Sequence, residues 1–104
     1  MTEQNKAFST EFAGQLVKEV KFFMADPEIL ENFKNGTGGA MIYEGVLQQL
    51  LKKRFPEFII NVFKAVWFDN EWETSIVFIC PEIGRIKLDN IRISGKVKVE
   101  AAFG

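Results

Sequence analysis

Histidine is absent from the 104 residues, and cysteine occurs once, at Cys80. Histidine is the side chain that ordinarily titrates near neutrality, and a thiolate is the readiest protein nucleophile. The commonest acid–base and nucleophilic mechanisms therefore lack their groups. A single cysteine closes no intrachain disulfide, which fits a reducing compartment. Cys80 ends the apolar run Ile76-Val77-Phe78-Ile79-Cys80 with no basic neighbour to lower its pKa, so a buried, unreactive thiol is expected. Metal centres built on His and Cys are short of donors. Only hard-cation sites made of carboxylates fit the composition, and no cofactor is expected.

Long apolar runs are also missing. None approaches the ~18 residues of a membrane helix. The N-terminal stretch carries Glu3, Lys6, Glu11, Lys18 and Glu19 and no unbroken apolar segment of the signal-peptide kind. A cytoplasmic protein without a membrane partner is the expectation. Asn35-Gly36-Thr37 fits a glycosylation sequon but reads as a helix stop.

Apolar residues nonetheless make up 47% of the chain, and Phe alone occurs eleven times. That supplies a core without the disulfides or metals that scaffolds below roughly 70–80 residues need. A single α+β domain over residues 1–104 is expected. Net charge is −1 but unevenly spread. Residues 59–83 hold one base and four acids, and residues 84–104 hold five bases and two acids. Such splitting hints at complementary partner surfaces.

Periodicity divides the chain. Phe8, Phe12, Leu16, Val20 and Phe23 recur every three or four residues and predict a helix over about 8–24. Asp26-Pro27-Glu28 has the cap, first-turn proline and acid of a helix start, giving a short helix over 27–34 that ends at Lys34-Asn35-Gly36. A third helix over 40–54 carries Ile42, Tyr43, Val46, Leu47, Leu50 and Leu51 as its apolar stripe, ends on Lys52-Lys53-Arg54 and is stopped by Pro56. The period then falls to two. Strands are expected over about 57–68, 71–80, 85–93 and 96–102, with turns at Asp69-Asn70-Glu71 and Pro81-Glu82-Ile83-Gly84. Ile86 and Leu88 are apolar at even positions but Ile91 and Ile93 at odd ones, so Asp89-Asn90 marks a bulge or a further turn. Helices first and strands last predict an α+β fold, with the N-terminal helices on one face of an antiparallel sheet of three to four strands. This order, with Gly38-Gly39 ahead of the third helix, resembles the cystatin-like and nuclear-transport-factor-like cones; no motif diagnostic of either is present.

Few groups offer chemistry. Gly36-Thr37-Gly38-Gly39 precedes a helix, but without a preceding strand or a Gly-Lys-Ser/Thr it is a connection rather than a phosphate cradle. Glu71 and Glu73 project to one side of a strand, where a carboxylate pair could divide acid and base roles; a solvated hairpin rim is the plainer interpretation. The hairpin tip is the most unusual patch. Trp67, Phe68, Asp69, Glu71, Trp72 and Glu73 put aromatics and acids together in a protruding turn, a pattern found at protein-binding hot spots. The competing account folds both tryptophans into the core. Arg85, Lys87, Arg92, Lys96 and Lys98 form a basic C-terminal region able to follow a phosphate backbone, though no aromatic interleaves them.

The leading expectation is therefore a non-enzymatic protein-binding module, in the form of a small intracellular inhibitor, toxin-immunity protein or phage accessory protein, with the tip residues on its partner. A nucleic-acid-binding module using the basic strands is the alternative. A small-molecule pocket or isomerase-like enzyme in a cone-shaped fold is a third, needing a polar group inside, for which Tyr43, Glu44 and Asn61 are candidates. A homodimer or partner-completed sheet is expected through the edge near 58–68, which has only Asn61 and Lys64 to discourage pairing.

Overall fold

The computed structural model describes residues 11–32 and 39–103. Phe8, Phe33 and residues 34–38, including most of the glycine-rich connection, lie outside the described residues. Helix α1 spans Glu11–Met24, α2 spans Pro27–Asn32 and α3 spans Gly39–Arg54. Strands follow at β1 (Ile59–Phe68), β2 (Glu71–Cys80), β3 (Gly84–Arg92) and β4 (Lys98–Phe103), in the spatial order β1-β2-β3-β4, all antiparallel. The helices pack on one face of that sheet, as the change of period implies.

Each helix buries the stripe its spacing sets. Ala13, Leu16, Val20 and Met24 of α1 and Tyr43, Leu47 and Leu51 of α3 enter the core. Ile42, expected on the α3 stripe, is half exposed instead. It sits one position before Tyr43, and one step turns a side chain about 100° around the helix. Asp26 caps α2 by accepting from the Glu28 N–H at 3.0 Å. The C-terminus of α3 is tied to α1 by Arg54, whose guanidinium lies 2.9 Å from Glu19 Oε1.

Facing the helices are Ile60, Val62, Trp72, Ile76, Phe78, Ile86, Leu88 and Ile91, all buried. A phenylalanine cluster closes one end of this core. Phe55 and Phe58 each meet Phe78 edge-on, with ring centroids 6.0 and 6.1 Å away, and Phe12 stacks on Phe58 at 5.4 Å. The turns carry the backbone their sequences call for. Asp69 and Asn70 both have positive φ (54° and 64°), which gives a two-residue hairpin loop the twist of its strands. Pro81 and Glu82 (φ 74°) form the second turn, closed by Ile83 N–H donating to the Cys80 carbonyl at 3.1 Å.

Two bulges bend the sheet at one level. Lys64 and Ala65 of β1 together oppose Thr74, and Asp89 and Asn90 of β3 together oppose Ser75. Lys64 and Asn90 have positive φ, 58° and 54°. The buried hydroxyls of β2 serve both irregularities. Thr74 Oγ1 donates to the Phe63 carbonyl at 2.7 Å. Ser75 Oγ donates to Asp89 at 3.1 Å and accepts from the Asn90 N–H at 3.2 Å. The bulge at Asp89-Asn90 is the one the phase slip predicts.

The β1 edge is not open in the way its sequence suggests. Gln48 of α3 accepts from the Val62 N–H at 2.9 Å, and Glu44, one turn earlier, accepts from the Ala65 N–H at 2.8 Å. Helix side chains thus occupy two of the donors that a second strand would use.

Candidate functional site

The face of the sheet turned away from the helices is the candidate site. Because directly opposed residues of antiparallel strands share a side, the register defines it. Ile59, Ile79, Arg85 and Ala102 form one row, and Asn61, Val77, Lys87 and Glu100 form the next. Beyond the bulges, Val66 lies beside Glu73 and Arg92, and Phe68 beside Glu71. These two rows apart from Ile59, with Phe63 and Ala101, line an open groove of about 600 Å³.

Along this face the edge strand is apolar and exposed. Ile59 is 57% exposed, Val66 47% and Phe68 55%, with half-buried Phe63 between them. Arg85 and Lys87 flank the groove and form no ion pair among the described residues. The Lys87 ammonium lies 5.7 Å from the Phe63 ring centroid, and Lys64 approaches the same ring at 5.9 Å.

The opposite end of the face is a closed ionic cluster. Arg92 Nη2 lies 2.7 Å from Glu71 Oε2 and 3.6 Å from Asp69, and its Nη1 lies 3.8 Å from Glu73. Glu71 also accepts from the Ser94 N–H and hydroxyl. Desolvation raises the Glu71 pKa, but the Ser94 hydrogen bonds and the bond and charge of Arg92 outweigh it, lowering the group to about 2. A carboxylate held ionised and saturated in this way is badly placed to shuttle a proton. Its Arg92 partner comes from β3, which sequence reasoning assigned to a separate basic region.

Several expected site residues need correction. Trp72 is 2% exposed and stacks on Tyr43 with centroids 4.4 Å apart, so it presents no surface to a partner. It belongs to the same alternating set as Ile76 and Phe78, which face the helices. Trp67, directly across the ladder, points the same way and meets Trp72 edge-on at 5.5 Å, half-buried. Of the tip aromatics only Phe68 is well exposed, beneath the Arg92 guanidinium at 5.7 Å. Cys80, expected buried, is half-buried, because β2 ends there at the rim of the core. Tyr43, Glu44 and Asn61 do not converge. Tyr43 is in the core, Glu44 caps the β1 edge and Asn61 is on the outer face. Of the basic residues, Arg85, Lys87 and Lys98 share the outer face, Arg92 is bound by acids, and Lys96 lies in the link before β4.

In the core, Tyr43 Oη and Trp72 Nε1 have no hydrogen-bond partner among the described residues. Among the described residues no three His, Cys, Asp or Glu side chains gather in a way that could hold a metal. No helix among them is long and apolar enough to cross a membrane. No protein-family model, curated protein or solved structure matches the chain.

Proposed function

We propose that this chain is a non-enzymatic protein-binding module and that its binding surface is the outer face of the sheet. One observation carries the proposal. The helices cover one face, while the other sets exposed Ile59, Val66 and Phe68 and half-buried Phe63 along β1, with Ile79 beside Ile59 and Val77 beside Asn61. Contiguous exposed apolar surface with a polar rim is characteristic of protein contact sites. Arg85 and Lys87, which form no ion pair among the described residues, call for a partner with carboxylates at that border. The capture of Glu71 and Glu73 by Arg92 supports the non-enzymatic part. A small inhibitor or accessory factor, of the immunity or phage-antagonist kind, is the form that suits a compact domain with a docking face.

A nucleic-acid partner is the second reading. It is favoured by the gathering of Arg85, Lys87 and Lys98 on the face that also holds Phe63. Asp89 and Glu100 on the same face weaken the field a phosphate backbone would feel.

Affinity capture from the native host, with mass spectrometry, tests the two together. Ile79→Glu and Lys87→Glu, both on the outer face, should leave thermal unfolding nearly unchanged and abolish capture of the protein partner. Capture that survives both substitutions would sink the outer-face assignment. Capture that disappears with nuclease would select the nucleic-acid reading.

A further inference from the structure

We infer that β4 is a self-association strand, pairing antiparallel with β4 of a second copy of this chain in the register centred on Val99. The sheet has two edges, and they are treated differently. At β1, Gln48 and Glu44 hold the N–H groups of Val62 and Ala65. At β4, no side chain among the described residues bonds to the strand's backbone. An unpaired ladder edge is a template for another strand.

Charge selects the occupant and the register. Lys98 and Glu100 both point to the outer face, opposite Asp89 and Lys87 of β3, and lie 4.0 Å apart. A two-fold axis perpendicular to the sheet keeps the helices of both copies on one side and sets residues of equal parity opposite each other. Centred on Lys98, it sets lysine against lysine; centred on Glu100, glutamate against glutamate. Centred on Val99, it sets each Lys98 against Glu100 of the second copy. The four charges then alternate in a square, and opposite charges directly across strands stabilise a ladder where like charges destabilise it. A lysine on an edge normally deters pairing; here its own neighbour, presented by symmetry, neutralises it.

The other side of the strand agrees. Val99 faces the helix side but is 39% exposed, because the described helices pack more closely on β3 than on β4. In this register it meets Val99 of the second copy, and Val97 meets Ala101. The isologous contact closes after two copies, since each spends its β4 edge in the pairing. One strand pair is a small interface, so association is weak and concentration-dependent.

Sedimentation of the purified chain over a broad concentration range provides the test. The unmodified chain should shift from monomer to dimer. Lys98→Glu and Glu100→Lys, made singly, should each weaken the dimer roughly tenfold to hundredfold. The double exchange should restore it. In a Cys80→Ser background, Val99→Cys should form an intermolecular disulfide on mild oxidation, and Ala101→Cys should do so far less. A chain that stays monomeric at the highest concentration reached overturns the pairing. A dimer indifferent to both charge reversals, or cross-linked equally at 101, overturns the register. Circular dichroism on each variant separates these outcomes from misfolding.

Discussion

Replacing Tyr43 by Phe should stabilise this protein, against the usual direction for a buried tyrosine. A core tyrosine ordinarily donates a hydrogen bond worth about 0.5–1.5 kcal/mol net, and its removal destabilises. Tyr43 is fully buried, and its Oη has no partner among the described residues. Burial alone pushes the phenol pKa upward. A desolvated, unbonded hydroxyl costs about 1–3 kcal/mol. Deleting it leaves a void of one oxygen, about 10–15 Å³, worth about 0.3 kcal/mol on the cavity scale. The ring stack on Trp72, 4.4 Å between centroids and 11° between planes, is available to phenylalanine unchanged. The balance is a gain of about 1 kcal/mol, or about 4 °C in Tm for a domain of this size. Urea denaturation followed by far-ultraviolet circular dichroism is the suitable assay, because Trp72 emission depends on the very ring being changed. A loss of about 0.5 kcal/mol or more would refute the reasoning, since it would mean that the hydroxyl is bonded in the folded state.

Trp72→Ala should cost about 3–5 kcal/mol, the scale of a large core truncation, and show itself in melting before it affects any binding. Glu71→Gln should flatten the acid limb of the stability curve. The folded pKa is lowered to about 2 from an ordinary 4.5, so its contribution is complete above about pH 4.5 and is lost as pH falls toward 2; a variant with the same acid dependence would exclude Glu71 as its source. Removing Glu44 and Gln48 together by alanine substitution should cost about 1–3 kcal/mol and increase light scattering at high concentration, because two N–H groups of the β1 edge lose their acceptors.

The legible parts of this fold are those written as periods. The spacing of Leu16 and Val20, or of Tyr43, Leu47 and Leu51, names the buried side of each helix, and the even-to-odd slip between Leu88 and Ile91 reveals the bulge in β3. The matching bulge in β1 is hidden. Phe63, Ala65, Val66 and Trp67 are apolar on both sides of it, so a one-residue slip leaves no mark. Trp72 stands in step with Ile76 and Phe78, yet its closeness to the charged turn made exposure a fair expectation. The binding face was harder to see, because it depends on which side of the sheet the helices take. The arginine that neutralises the tip is invisible without the register that sets Glu73 beside Arg92.

The meander has a kinetic consequence. Every strand pairs with its neighbour in sequence, through two tight turns and one short link, so the ladder can grow without closing a long loop. The contact that spans the chain is α1 against β3, which requires the first described helix to find a strand made much later. Docking of α1 should then be the late event, on the native side of the rate-limiting barrier. Truncating Leu16 or Val20 should leave the refolding rate nearly constant and speed unfolding, whereas truncating Ile76 or Phe78 should slow refolding. A domain arranged in this way resists opening chiefly through α1, a segment made before the strands and docked after them.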